Sequence, residues 1–495
     1  MRAGLCTSPS AIYRPSPSFT MPVDSSAPYA TRVKQALADS NLRTALDRAT
    51  SRLRTHRAQA IAAIDYAALR EDVRAVREYA VSNMPDLLEQ LERNLVTNGC
   101  QVHWARDAAE ACEIVAEIAR ERGVRNAVKS KSMVTEEIGL NQALERSGVA
   151  VVETDLGEYI IQLAHEPPSH ITAPVIHKRV EDISELFERE FGIAPTTDPA
   201  VLCAVARRQL RSKFLAADMG ISGCNFAIAE TGTICVVTNE GNGRMVTSMP
   251  RVHVAVLGIE KVVPRVEDAI LLWQAAARSA TGQDVTVYFS MSSGPRKPGH
   301  PDGPDEMHVV LLDNGRSRVL ERGYAEILLC IRCGACVNEC PVYREIGGHS
   351  YGATVYSGPI GAVVTPLLAD DMATAKELPY ASSLCGACRD VCPAKIDLPR
   401  LLLDLRHQLV EQGTAPRGER LAIRAFTAAA RKPGRFATWS RVARWITGLL
   451  AGKDGDVKKL PPPLSAWTRS RVFPKLARQS FRALWRRRRS HGSVQ

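Results

Sequence analysis

The chain has 495 residues, 45% of them hydrophobic and 24% charged, enough to bury a sizeable core and to divide into about three domains. Its formal net charge of +11 is concentrated at one end: no acidic residue follows Asp456, and eleven Lys and Arg lie from Lys458 to Arg489, which leaves the rest near neutral and excludes a general nucleic-acid-binding face. The longest stretch without Asp, Glu, Lys or Arg, Ile346 to Ala369, is interrupted by five glycines and two prolines, so no segment reads as a transmembrane helix.

Residues 1–28 form a Ser/Pro-rich leader without an apolar h-region, which reads as disordered, or as sequence ahead of a start at Met21, and not as a secretory signal. Over 29–65 apolar residues recur at helical spacing among many Arg and Ala, predicting a helical arm. An α/β domain follows over 66–315. It opens with helices through Tyr66–Val96, where Pro85 suits a first turn. Short apolar runs at Cys100–Trp104, Val124–Val128 and Val149–Glu153 then alternate with helical stretches at Asp107–Arg122 and Thr135–Arg146, the pattern of βαβ units and a mainly parallel sheet. Further strands are predicted at Cys224–Ala229, Thr233–Thr238, His253–Leu257, Val285–Phe289 and His308–Leu312, with a helix at Glu267–Ala280.

Within residues 316–412 lies the decisive motif. Cys330, Cys333, Cys336 and Cys340, followed by Pro341, write CxxCxxCxxxCP, and Cys385, Cys388 and Cys392, followed by Pro393, write most of it again. Three thiolates two residues apart wrap one cubane in a tight loop, and the fourth cysteine ligates the neighbouring cluster in two-cluster ferredoxins. Read that way, Cys330, Cys333, Cys336 and Cys392 hold one [4Fe-4S] cluster while Cys340, Cys385 and Cys388 hold a second. The second set is a ligand short, because Ser382 stands where the motif requires cysteine. A serine oxygen, a distant cysteine, a partner residue or a three-iron cluster each resolves the shortfall, and the spacing does not choose. Zinc is the bland alternative, disfavoured because four cysteines in eleven residues fold poorly round one tetrahedron. Disulfides fare worse, since seven close cysteines cannot pair off. The scattered Cys6, Cys100, Cys112, Cys203, Cys224 and Cys235 read as buried small hydrophobes.

Other motifs are weaker. Lys129-Ser-Lys-Ser132 sits between a predicted strand and helix, where it reads equally as an anion site or a solvated loop. Glu230–Thr233 and Asn239–Arg244 read as glycine turns, and His165, His170 and His177 as structural histidines. No GxGxxG, GxxxxGK[ST], CxxCH or GxSxG is present, so the chain has no evident hydride acceptor and suits single-electron transfer. After the helix Leu398–Val410 come two apolar-faced helices over 413–452, the second with Trp439, Val442, Trp445, Ile446 and Leu449 on one side, read as ordinary core packing. Residues 453–495 are a linker and a basic tail.

The stretches Val128–Glu137, Asp155–Tyr159, Cys224–Ala229, Thr238–Arg244, Asp313–Arg316 and Cys330–Cys336, continued by Pro341–Tyr343, Gly347–His349, Gly358–Gly361 and Ser382–Cys385, resemble the iron-sulfur subunit of the bacterial L-lactate utilisation complex. The resemblance runs from about Ala30 to Ala430. It implies a lactate-utilisation α/β domain, similar in fold to the CoA-transferase and sugar-isomerase superfamily, followed by a two-cluster ferredoxin-like α-helical segment. It also implies the two cluster ligand sets given above, a serine as usual at position 382, and a cytoplasmic chain relaying electrons with two other subunits as L-lactate becomes pyruvate. The competing expectation is an iron-sulfur sensor or scaffold with structural clusters. In the tail, Phe473, Leu476, Phe481, Leu484 and Trp485 recur at near-helical spacing, with Pro474 placed to open the helix and Arg486–Arg489 following, which predicts a helix that contacts a membrane surface.

Overall fold

A computed structural model describes residues 27–490 apart from 353, 415–416, 463–464, 466–467 and 469–470, so Cys6 and nearly all of the leader lie outside the described residues. The chain divides into two units, one ending at Gln412 and the other beginning at Gly413.

In the first unit, β1 (Gln101–Ala105), β2 (Asn126–Lys129), β3 (Ala150–Glu153), β4 (Met219–Ser222), β7 (Val252–Gly258) and β10 (Glu306–Leu312) form one sheet in the order β1-β10-β7-β4-β2-β3. Every pairing in it is parallel, with Val254 of β7 between His308 and Ile221. Parallel sheets need helices on both faces, so their strands are apolar throughout. β10 shows why: Val310 and Leu312 pack with Val115 and Leu144 on one face, while Val309 and Leu311 pack with Leu91 and Leu95 on the other. The coarse reading of an α/β chain with a mainly parallel sheet is thus observed.

A second sheet has the order β8-β5-β6-β9, from β5 (Phe226–Ile228), β6 (Thr233–Thr238), β8 (Val262–Val263) and β9 (Tyr288–Ser292). β5 and β6 form an antiparallel hairpin. At its turn Gly232 takes φ +62°, and a Cβ there would sit 2.5 Å from the Asn94 carbonyl carbon, so only glycine fits.

Several expectations need correction. The strand expected at Val285–Phe289 begins at Tyr288, because the Thr286 hydroxyl accepts from Trp273 Nε1 and donates to the Tyr288 carbonyl, holding the preceding residues in a turn. The helix expected over Thr135–Arg146 is two, broken at Gly139 with φ +65°. Gly241 lies at φ −72°, starting the helix Asn242–Ser248, so the Asn239–Arg244 stretch is not a positive-φ turn.

The N-terminal helices Tyr29–Ala38, Ser40–Ala62 and Tyr66–Ser82 pack on the cysteine segment, whose core unites Leu42, Leu46 and Val73 with Ile327, Val363, Leu402 and Leu405. Asp39 and Asp65 cap two of these helices, accepting from Leu42 N and Ala68 N.

The second unit contains helices Arg417–Ala430 and Pro433–Leu450, an antiparallel pair of Asp456–Val457 with Phe473–Pro474, and a helix Phe481–Ser490. Pro474 therefore lies in a strand and does not open the terminal helix. The apolar side of Pro433–Leu450 is not core either: Trp439, Trp445 and Leu449 are 61%, 67% and 68% exposed, with Val442 and Ile446 also exposed. Among the described residues no helix is long and apolar enough to cross a membrane.

Candidate iron-sulfur site

The two cysteine runs fold alike. In the first, Arg332 (φ 58°) and Gly334 (φ 79°) flank Cys333 in the left-handed region, and the short helix Ala335–Glu339 carries Cys336. In the second, Leu384 (φ 55°) and Gly386 (φ 90°) flank Cys385, and Ala387–Asp390 carries Cys388. Left-handed backbone at a non-glycine residue costs on the order of 1 kcal/mol or more and persists where the surroundings impose it. Its recurrence at matching positions makes the two loops copies of one wrap. Cys340 ends the first wrap, and Pro341 opens the next helix at its first turn.

The seven cysteines sort into two groups across these loops. Cys333 interacts electrostatically with Cys330 and Cys392, Cys336 with Cys330, Cys333 and Cys392, and Cys392 with Cys330. Cys388 interacts with Cys340 and Cys385, and Cys340 with Cys385. Cys336 also interacts electrostatically with Cys388, linking the groups. Burial pushes the Cys333 and Cys388 thiols up to about 12, so as free groups they stay protonated; a cation in their midst is what ionises them. Among the described residues no three His, Cys, Asp or Glu converge as the ligands of one ion do, whereas the thiolates of a cubane stand apart at its corners.

A second observation fits an anionic cluster. Arg57 Nη2 donates to the Val391 carbonyl at 3.2 Å, Arg70 Nε to that of Cys392 at 2.9 Å, and Arg77 Nη2 to those of Glu260 at 2.6 Å and Leu328 at 2.8 Å. Arg57 and Arg77 are buried, and the Nε of each has no partner among the described residues. Burial lowers Arg77 to about 10, so it remains charged near neutrality. Buried cations bonded mainly to carbonyls are costly unless a counter-charge is close; Glu260 is one for Arg77, and an anionic cluster among these cysteines would be another. Spacing alone does not single out these arginines, although Arg70, Arg74 and Arg77 share one helical face.

Family models match in the same order along the chain: a LUD domain over residues 88–312, a 4Fe-4S dicluster domain over 326–396, and the C-terminal domain of lactate utilisation protein B over 404–490. Proteins named lactate utilization protein B are similar over most of the chain. That of Bacillus licheniformis is 45% identical over 465 residues, covering 92% of this chain and 96% of the relative. That of Bacillus subtilis is 44% identical, covering 91% and 94%. The chain belongs to the lactate utilisation protein B family. It carries [4Fe-4S] clusters in its dicluster domain. The Geobacillus thermodenitrificans relative of this family is 48% identical over 422 residues, covering 84% of this chain and 88% of its own length. A solved structure, a DUF162 family protein from Deinococcus radiodurans, is 17% identical and covers 46% of this chain and 98% of its own, at a TM-score of 0.26, too low to argue from.

In this family member the Lys129-Ser-Lys-Ser132 turn is not a vacant anion site. Lys129 is buried against Glu136 and Glu153, each at 2.8 Å, and Lys131 pairs with Glu158 at 2.5 Å. Burial works to lower Lys129, and the two carboxylates outweigh it. Ser132 caps the helix Met133–Glu137 through Thr135 N.

Of the two buried histidines of the Pro-rich loop, His170 is bonded at both ring nitrogens, whereas His177 is bonded at Nε2 and its Nδ1 has no partner among the described residues. His170 Nε2 meets Asn338 Oδ1 at 3.1 Å, and His177 Nε2 meets Glu166 at 2.7 Å. A deeper network joins the α/β core to the cysteine loop: Arg316 pairs with Glu137 at 2.9 Å and Glu260 at 2.5 Å, and Arg332 approaches Glu260 at 3.8 Å while lying over the Tyr356 ring. Of the other cysteines, Cys100 and Cys235 are buried as expected, but Cys203 is exposed, and Cys112 and Cys224 are only partly covered.

Proposed function

We propose that this chain is the electron-transfer iron-sulfur subunit of an assembly that oxidises L-lactate to pyruvate. The observation that carries the reading is the division of the seven motif cysteines into two electrostatically linked groups, with Cys336 also in the field of Cys388. Cys330, Cys333, Cys336 and Cys392 would hold one cluster and Cys340, Cys385 and Cys388 the other. Bound clusters supply one-electron chemistry, and two at close quarters suit relay better than a purely structural role. The chain's own residues wrap the thiolates, balance their charge with Arg57, Arg70 and Arg77, and cover Cys340 with the buried Tyr343 and Tyr351. Relatives named for lactate utilisation support lactate as the electron source. The all-parallel sheet supports the kinship of the α/β domain with the CoA-transferase and sugar-isomerase superfamily.

With no Gly-rich dinucleotide loop in its sequence, the chain works with two other lactate-utilisation subunits. Anaerobic addition of L-lactate should bleach the clusters only when those subunits are present; bleaching that ignores them, or none in the full assembly, overturns the reading. A contact with the inner face of the membrane belongs to the same proposal. Residues 413–495 carry 20 Lys and Arg against three Asp and Glu, an excess larger than that of the whole chain, so the first 412 residues are net acidic. Exposed Trp439, Trp445, Phe481 and Trp485 interleave with that charge, the composition of an interfacial surface.

A further inference from the structure

We propose that Ser382 Oγ is the fourth ligand of the second cluster, completing the set Ser382, Cys385, Cys388 and Cys340. The proposal rests on the two-cluster reading above and closes the ligand shortfall within this chain.

Ser382 occupies in the second wrap the place that Cys330 occupies in the first, three residues before the cysteine flanked by left-handed backbone. The side-chain atoms at the two places do the same thing. Cys330 Sγ accepts from Arg332 N at 3.4 Å, and Ser382 Oγ accepts from Leu384 N at 3.1 Å, in each case from the left-handed residue two positions on. The shorter distance is the one an oxygen requires in place of sulfur. A matching backbone wrap thus presents an oxygen where its counterpart presents the Cys330 sulfur. A backbone N–H aimed at that atom is the kind of bond that stabilises a bound anionic ligand.

The loop is also pinned from behind. Arg406 donates from Nη2 to the Ser382 carbonyl at 3.1 Å and from Nε to the Pro379 carbonyl at 2.8 Å, and its guanidinium lies over the Tyr380 ring. The Ser382 side chain therefore need not be drawn in from a mobile segment. Ser382 is partly open to solvent, which gives the hydroxyl proton somewhere to go. On binding, the Fe–O bond forms as the O–H bond breaks, the proton passes to water, and no electron changes hands. Serine oxygen is harder than thiolate and holds iron less readily, so this cluster should be the more easily stripped of the pair, and its exposed Cys385 adds to that lability.

The test is anaerobic reconstitution of the full-length chain and its Ser382→Ala, Ser382→Cys and Cys385→Ser variants, followed by iron analysis and by EPR and Mössbauer spectroscopy. Wild type should hold about eight irons, and Ser382→Ala about seven with a three-iron EPR signal in the oxidised state, from the ligand count. Ser382→Cys should restore the eighth iron and keep it through an oxidation that removes it from wild type. The first cluster's spectrum, unchanged in all of these, reports that each variant has folded. An unaltered eighth iron in Ser382→Ala, or a wild type that already shows the three-iron signal at full strength, overturns the proposal. Cys385→Ser separates this from failure of the two-cluster reading: if it leaves both clusters intact, the ligand sets themselves are wrong.

Discussion

Glu166 has no exposed surface, yet it lies between His177 Nε2 at 2.7 Å and Lys178 Nζ at 2.8 Å. Burial alone would raise its pKa; the hydrogen bond and charge of His177, with Lys178, win and hold it at about 2. A carboxyl depressed in this way from 4.5 contributes stability that is complete above the unfolded value and is lost as pH falls from about 4.5 through about 2. The shift corresponds to about 3 kcal/mol. Glu166→Gln should cost on that order at pH 7 in urea melts, with the gap to wild type closing as pH drops below about 4.5; a gap that stays constant with pH would contradict the assignment. At the same scale, Cys333→Ser should remove the cluster of Cys330, Cys336 and Cys392, whereas Cys203→Ser, at an exposed cysteine of the helix Pro199–Leu215, should leave the iron content unchanged.

At the scale of elements, the helix Tyr66–Ser82 turns one face to the cluster loops, with Arg70, Arg74 and Arg77 each donating to a carbonyl there. Arg74 is already paired with Glu78 and Glu326, and Arg77 is countered by Glu260, so Arg70, bonded to the Cys392 carbonyl itself, is the one to test. A cation stabilises the reduced, more negative cluster. Arg70→Gln should therefore lower the potential of the cluster that Cys333→Ser removes, and move the other far less, in an EPR-monitored redox titration; Arg70→Lys should restore it. Equal potentials in all three would reduce Arg70 to a structural clasp. For the helix Pro433–Leu450, Trp439→Glu with Trp445→Glu should weaken co-sedimentation with anionic vesicles at low salt, while binding that ignores both substitutions and salt would sink the membrane contact. Legibility in the sequence varied at this scale for physical reasons. β10 was readable because an all-buried parallel strand is apolar residue after residue. β4, Met-Gly-Ile-Ser, carries no such run and exists because β2 and β7 bind it on either side. The aromatic stripe of Pro433–Leu450 was misread, because periodicity reports that a helix has an apolar face and not what meets it. The cysteine spacing gave the cluster loops outright, but the arginines around them come from distant segments, and only folding brings Arg57 beside Val391.

For the molecule as a whole, the proposed function makes catalysis depend on the partner subunits. The purified single chain with an artificial acceptor should show no turnover of L-lactate, and measurable turnover would require a cofactor site that its sequence motifs do not contain. Under the proposed function, lactate electrons pass through both cysteine groups. The most direct measurement is a rapid-freeze EPR experiment on the reconstituted three-subunit assembly, mixed anaerobically with L-lactate, in parallel with assemblies carrying Cys333→Ser or Cys385→Ser. The intact assembly should show a reduced-cluster signal, each variant should lose a different component of it, and this chain alone should show none. Clusters that stay oxidised in the intact assembly while pyruvate accumulates would contradict it.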